Sequence, residues 1–201
     1  MTTVAELPPG FSDKVLSAQS TFRSVMDALA RPGTVQRIAA SAGAPEGMMH
    51  GTAAIALMLF DHDTPIWLDG AISTSDAAKW LKFHTGAPII DHPAMAGFAL
   101  IGDPKNLPAL DRFALGSSEY PDRSTTLILQ VDSLSRGTAY ELHGPGIDGS
   151  TLLTASIEPH DLFDRLAVNA TLFPRGIDVV LVDGSSIVAI PRTTRLVHGK
   201  N

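Results

Sequence analysis

Ile177-Asp178-Val179-Val180-Leu181-Val182-Asp183-Gly184 decides the fold. Apolar residues hold successive positions, so a strand here buries both of its faces. Asp183-Gly184 marks a tight turn, and Ile187 to Ile190 supplies the returning strand. Thr125 to Val131, with Leu127, Ile128, Leu129 and Val131, repeats the doubly buried pattern. Pro65 to Asp69, closed by Gly70, and Gly97 to Ile101 read as further strands. Gly137 to Leu142 and Thr151 to Ile157 flank the Gly144-Pro145-Gly146 loop, and Thr34 to Ile38 makes a short strand.

Helices alternate with these strands. Ser12 caps a helix from Asp13, and Val15, Ala18, Phe22, Val25, Met26 and Leu29 form its apolar face. Arg31-Pro32-Gly33 stops it, because the residue before proline avoids the helical region. Met48 to Phe60 is a helix apolar on most sides. Ser73 with Asp76 opens a helix through Phe83, ended by Gly86 and Pro88. Asp161 to Leu172 turns Leu162, Leu166 and Val168 or Ala170 inward. The pattern predicts an α/β sandwich around a mixed sheet. Residues 1–10, ending in Pro-Pro-Gly, read as an irregular arm and 11–201 as a single domain.

Composition excludes several function classes. A chain of 201 residues buries roughly 70% of its unfolded surface, enough for a core without staples. With no cysteine there are no disulfides, thiolate metal sites or cysteine nucleophiles. The balance of 15 basic to 21 acidic residues, net −6, argues against nucleic-acid backbone binding. No signal peptide opens the chain, and Thr52 to Phe60 is too short to span a membrane. A cytoplasmic protein is expected.

Reactive motifs are few. Asp61-His62-Asp63 and Asp91-His92-Pro93 place neighbouring side chains on opposite sides, so neither triplet alone converges on an ion, and no metal site is expected. His143-Gly144-Pro145-Gly146-Ile147-Asp148-Gly149 reads as a strand-connecting turn, since Pro145 removes an amide that a phosphate cradle needs; it can still line an interface. No nucleophile elbow is present. Lys14, Lys79 and Lys82 fall on helices and Lys200 at the tail. Lys105, in a loop, has no neighbour that activates it, so no pyridoxal cofactor is expected.

Arginine gives the strongest pattern. Arg31-Pro32, Pro174-Arg175 and Pro191-Arg192 each set a guanidinium beside a stiffened turn at an element boundary. A fork leaving a fixed backbone suits bidentate recognition of phosphate or carboxylate. The competing readings are a helix C-terminal cation for Arg31, an ion pair with Asp178 for Arg175, and an exposed hairpin residue for Arg192. Asp178 is an acid entering an apolar strand and needs a partner. Arg175 or Arg192 is expected to pair with it, and so to be aimed at a partner or ligand surface.

Several segments together resemble one family, PhnH, the H subunit of the bacterial carbon–phosphorus lyase system. They are Phe22-Arg23-Ser24-Val25-Met26-Asp27-Ala28-Leu29-Ala30-Arg31-Pro32-Gly33, Trp80-Leu81-Lys82-Phe83-His84-Thr85-Gly86-Ala87-Pro88, Gly144-Pro145-Gly146-Ile147, Phe173-Pro174-Arg175-Gly176-Ile177-Asp178, and Ile190-Pro191-Arg192-Thr193-Thr194. Their order holds from about Phe11 to Leu196. The loop Gly116-Ser117-Ser118-Glu119-Tyr120-Pro121 departs from the family pattern at Ser117, which is given no role.

The resemblance implies a three-layer α/β/α sandwich similar to pyridoxal-phosphate transferases but without the cofactor. It implies a cytoplasmic homodimer joining G, I and J subunits in a core complex for organophosphonate use. That complex couples phosphonate to the ribose triphosphate part of ATP and releases adenine, with no established catalysis by the H subunit alone. Phe173 and Ile147, apolar residues in loops, are candidate dimer contacts. Arg31, Arg175, Asp178, Arg192, Thr193 and Thr194 are the candidate anion-binding or interface residues. Two other readings compete: a stand-alone enzyme holding an anionic substrate through the arginines, and a purely structural dimerisation module.

Overall fold

A computed structural model describes residues 7–198. Its centre is a six-stranded mixed sheet in the order β1-β8-β7-β4-β3-β2. The strands are β1 (Gln36–Arg37), β2 (Ile66–Leu68), β3 (Phe98–Ile101), β4 (Thr126–Gln130), β7 (Asp178–Asp183) and β8 (Ser186–Ile190). β2, β3, β4 and β7 run parallel, whereas β8 returns antiparallel from the turn at Gly184 and β1 pairs antiparallel with its far side. A second, three-stranded antiparallel sheet has the order β6-β5-β9, from β5 (Ser133–His143), β6 (Thr151–Ser156) and β9 (Arg195–His198).

Period-two alternation divides the core between the faces of the large sheet. Ile128, Val180, Val182 and Ala189 point to one face, beneath α1 (Lys14–Ala30), α2 (His50–Leu59) and α4 (Asp76–Thr85). Leu127, Leu129, Val179 and Leu181 point to the other. There they meet α5 (Leu162–Ala170), the small sheet and the turns carrying Leu107, Leu110 and Phe113. The chain is thus an α/β sandwich in which one outer layer is helical and the other combines a helix with a small antiparallel sheet.

Most predicted elements appear, with shifted boundaries. Asp13, not Ser12, caps α1: its carboxylate accepts from the Val15 and Leu16 amides at 3.0 and 2.9 Å. Ser75, not Ser73, caps α4, because a one-turn helix α3 (Gly70–Ser73) follows β2 and consumes Ser73. Val168 lies exposed on α5 while Leu162, Phe163, Leu166 and Asn169 turn inward. The predicted apolar face of α1 is split: Val25 is buried with Thr21 and Ala28, but Val15, Phe22 and Met26 face outward. Of the expected arm, residues 1–6 lie outside the described residues. Pro8 is fixed by its carbonyl, which accepts from Trp80 Nε1 at 2.7 Å.

Candidate functional site

Asp178 opens β7, and Pro191-Arg192 follows β8, its hairpin partner. The hairpin brings the two side chains together, and the ion pair forms with Arg192 rather than Arg175. Arg192 Nε donates to Asp178 Oδ1 at 3.1 Å, Nη2 donates to Oδ2, and the Arg192 amide donates to Oδ1 at 2.8 Å. Nη1 donates to the carbonyls of Pro121 and Pro174 at 2.8 and 3.4 Å, and Nη2 also to Ser124 Oγ at 2.6 Å. The five N–H groups of a guanidinium are thereby all engaged within the chain. The expectation that pairing aims this arginine at an outer surface is therefore corrected: only 13% of its side chain is exposed, and it binds three loops to one another.

The other candidates are not brought to the same point. Arg31 caps the C-terminus of α1 and pairs with Asp27 at 2.9 Å, both well exposed. Arg175 is exposed and makes no side-chain hydrogen bond or ion pair among the described residues. Thr194 is buried, its hydroxyl unpartnered among the described residues, while Thr193 is half-buried. Ile147 packs on the core, which leaves Phe173, 63% exposed, as the open apolar loop residue of the two.

Close approach explains the glycines between these residues. Gly176 has φ 122°, and a Cβ there would lie 2.8 Å from Asn169 Oδ1, on the side chain that holds Ile177 by both its amide and its carbonyl. Gly146, at φ 81°, rests on the Ala30 carbonyl, so the Gly144-Pro145-Gly146 turn braces the end of α1.

Around the turn after α5 lies a groove of about 650 Å³. Ala167, Ala170 and Thr171 of the α5 end form one wall; Arg195, Leu196 and Val197 of β9 form another. Pro145, Phe173 and Thr193 close its ends. β9 carries little signal in the sequence: Leu196 and Val197 are adjacent apolar residues with no alternation around them.

The carboxyl ends of the parallel strands hold a second arrangement. The path from β2 to β3 crosses the face of α1 and α2, whereas the paths from β3 to β4 and from β4 to β7 cross the other face. Connections that part in this way leave a crevice where open α/β sheets hold ligands. Here Asp69, buried, fills it: Oδ2 accepts from the amides of Gly102 and Asp103 at 2.8 and 2.7 Å, and Oδ1 from Ile72 at 2.9 Å. Beside it, the Gln130 side chain accepts from the Met49 amide and donates to the Gly47 carbonyl. Lys105 lies nearby in sequence, exposed on a one-turn helix at Pro104–Asn106.

Among the described residues no three His, Asp or Glu side chains gather where they could hold a metal ion. In Asp61-His62-Asp63 the Asp61 carboxylate is used by its own turn. The Thr64 hydroxyl above all, then the Asp63 amide, lower its pKa. No helix among the described residues is long and apolar enough to cross a membrane.

Comparison with known proteins reaches the whole of this architecture. The sequence model of bacterial phosphonate metabolism protein (PhnH) matches residues 9–197. The chain is 43% identical over 197 residues to the alpha-D-ribose 1-methylphosphonate 5-triphosphate synthase subunit PhnH of Rhizobium meliloti (strain 1021), covering 98% of each chain. It is 30% identical over 179 residues to a protein of Stutzerimonas stutzeri named as a C-P lyase subunit protein, HtxG, covering 89% of this chain and 85% of the other.

Proposed function

The chain belongs to the PhnH family of bacterial phosphonate metabolism proteins, and we propose that it serves as a subunit of the carbon–phosphorus lyase core complex. In that assembly a phosphonate is joined to the ribose triphosphate of ATP and adenine is released. Identity of 43% along 98% of each chain with a named synthase subunit carries this reading. The companions proposed are the G, I and J subunits and a second copy of this chain, in the cytoplasm, with residues from 11 onward acting as one domain.

Two observations support a subunit over a stand-alone enzyme. The three arginines do not converge: Arg192 is spent internally, Arg31 on Asp27, and Arg175 alone is unpaired among them. Apolar side chains instead stand at the surface. Val15, Phe22 and Met26 follow one another along α1 at spacings of seven and four, so they share one exposed stripe. That stripe suits isologous packing of two copies about a two-fold axis.

Reconstitution tests the reading. The assembled subunits should release adenine from ATP and methylphosphonate, with loss of release when this chain is omitted. The chain alone should release none above a no-enzyme control. Adenine release by the pure chain, or failure to co-purify with the companions, would count against a subunit role.

A further inference from the structure

We propose that the free edge of β9 is a docking site for an extended segment of a companion subunit, apolar with at least one acidic residue, which adds to the small sheet as a fourth strand. The proposal rests on the reading of the chain as a complex subunit and goes beyond it by naming the surface and the chemistry of what it takes.

The order β6-β5-β9 leaves the outer side of β9 paired with no strand among the described residues. Such an edge offers a row of backbone donors and acceptors. The groove is lined by three successive residues of this strand, Arg195, Leu196 and Val197. Successive side chains of a strand point to opposite faces, so a groove touching all three runs along the edge. Its other wall is small, Ala167, Ala170 and Thr171 at helical spacing on the helix end that packs against β9. Phe173 and Val197, 63% and 54% exposed, stand at its rim and offer apolar contact to alternate side chains of an incoming strand.

Charge selects the occupant. Among the described residues Arg195 is the one charged residue lining the groove and no acid lines it, and Arg175 follows two residues beyond Phe173, unpaired. The groove thus presents a cation on a chain of net charge −6. A second copy pairing antiparallel through β9 brings a further Arg195 and no acid to the edge. An acidic, apolar strand from another subunit meets the same edge with opposite charge.

The test uses the full-length chain co-expressed with the companion subunits. Arg195→Glu/Val197→Asp should melt like the wild type yet retain the companions about tenfold less well or worse. Leu152→Asp, an exposed change on β6 at the opposite edge, should retain them fully. In the wild-type assembly the amides of 195–197 should exchange hydrogen more slowly than in the free chain. A benzoylphenylalanine at position 197 should crosslink to a companion segment containing Asp or Glu. A wild-type chain that binds no companion overturns the subunit reading and this proposal with it. Full retention by a folded Arg195→Glu/Val197→Asp chain, unchanged exchange at 195–197, or a crosslink to a second copy overturns the docking proposal alone.

Discussion

Arg192 and Asp178 meet as two forks, Nε on one carboxylate oxygen and Nη2 on the other, with the Arg192 amide added to the first. Bidentate pairing of this kind fixes direction as well as distance. The remaining donors tie in Pro121, Pro174 and Ser124, so a single side chain holds three loops together at the amino-terminal edge of the parallel strands.

Arg192→Ala should therefore act on stability. It leaves a half-buried carboxylate held only by the backbone amide of residue 192, and several loop acceptors without donors, a loss on the order of 3 kcal/mol. For a chain of this size that lowers the melting temperature by about 10 °C. Arg192→Lys should recover only a small part, since an ammonium cannot span both carboxylate oxygens and the loop carbonyls. Thermal and urea denaturation of the two variants check this.

Arg175→Ala should behave in the opposite way. The side chain is exposed and unpaired, so stability should change by no more than about 0.5 kcal/mol. Reconstituted adenine release and companion binding should fall while the melting temperature holds. A chain with unchanged binding and full activity would show that Arg175 has no part in assembly.

Gly146 and Gly149 offer a controlled pair. Both have positive φ, 81° and 70°, but a Cβ at 146 overlaps the Ala30 carbonyl and one at 149 meets nothing within 4 Å. Gly149→Ala should cost about 1 kcal/mol of backbone strain. Gly146→Ala should cost more by about 1–3 kcal/mol, because turn and helix end must separate. Equal midpoints in urea would mean that the turn does not brace α1.

The α1 stripe is read by light scattering. The isolated chain should be a dimer at micromolar concentration, and Phe22→Asp/Met26→Asp should yield a folded monomer. A wild-type monomer, or a variant that remains dimeric, would move the self-interface elsewhere.

How far the sequence discloses this molecule depends on the range of the interaction. Val179 to Val182 and Leu127 to Leu129 announce buried strands because their chemistry is apolar on every side. The Asp178 pairing is legible too, since an acid in such a strand needs a cation and the hairpin supplies one. The exposed half of the α1 face is not: Phe22 and Met26 have the same periodicity as Val25, and the placement of α2, β8 and β1 decides which of them is covered. Ser73 and Ser75 are equally good caps by composition, and the extra turn after β2 chooses between them. The groove escapes notice because Ala167, Phe173 and Arg195 are joined only in three dimensions.

Asp69 gives the fold an independence from its surroundings. Proteins that leave a crevice of backbone amides open at this point gain stability from whatever anion fills it, in proportion to the logarithm of that anion's concentration. Here the three amides of Ile72, Gly102 and Asp103 are already satisfied by a carboxylate on the same chain. Its local concentration is fixed by covalent connection, so the mouth of the sheet stays closed whether cellular nucleotide and phosphate pools are full or starved.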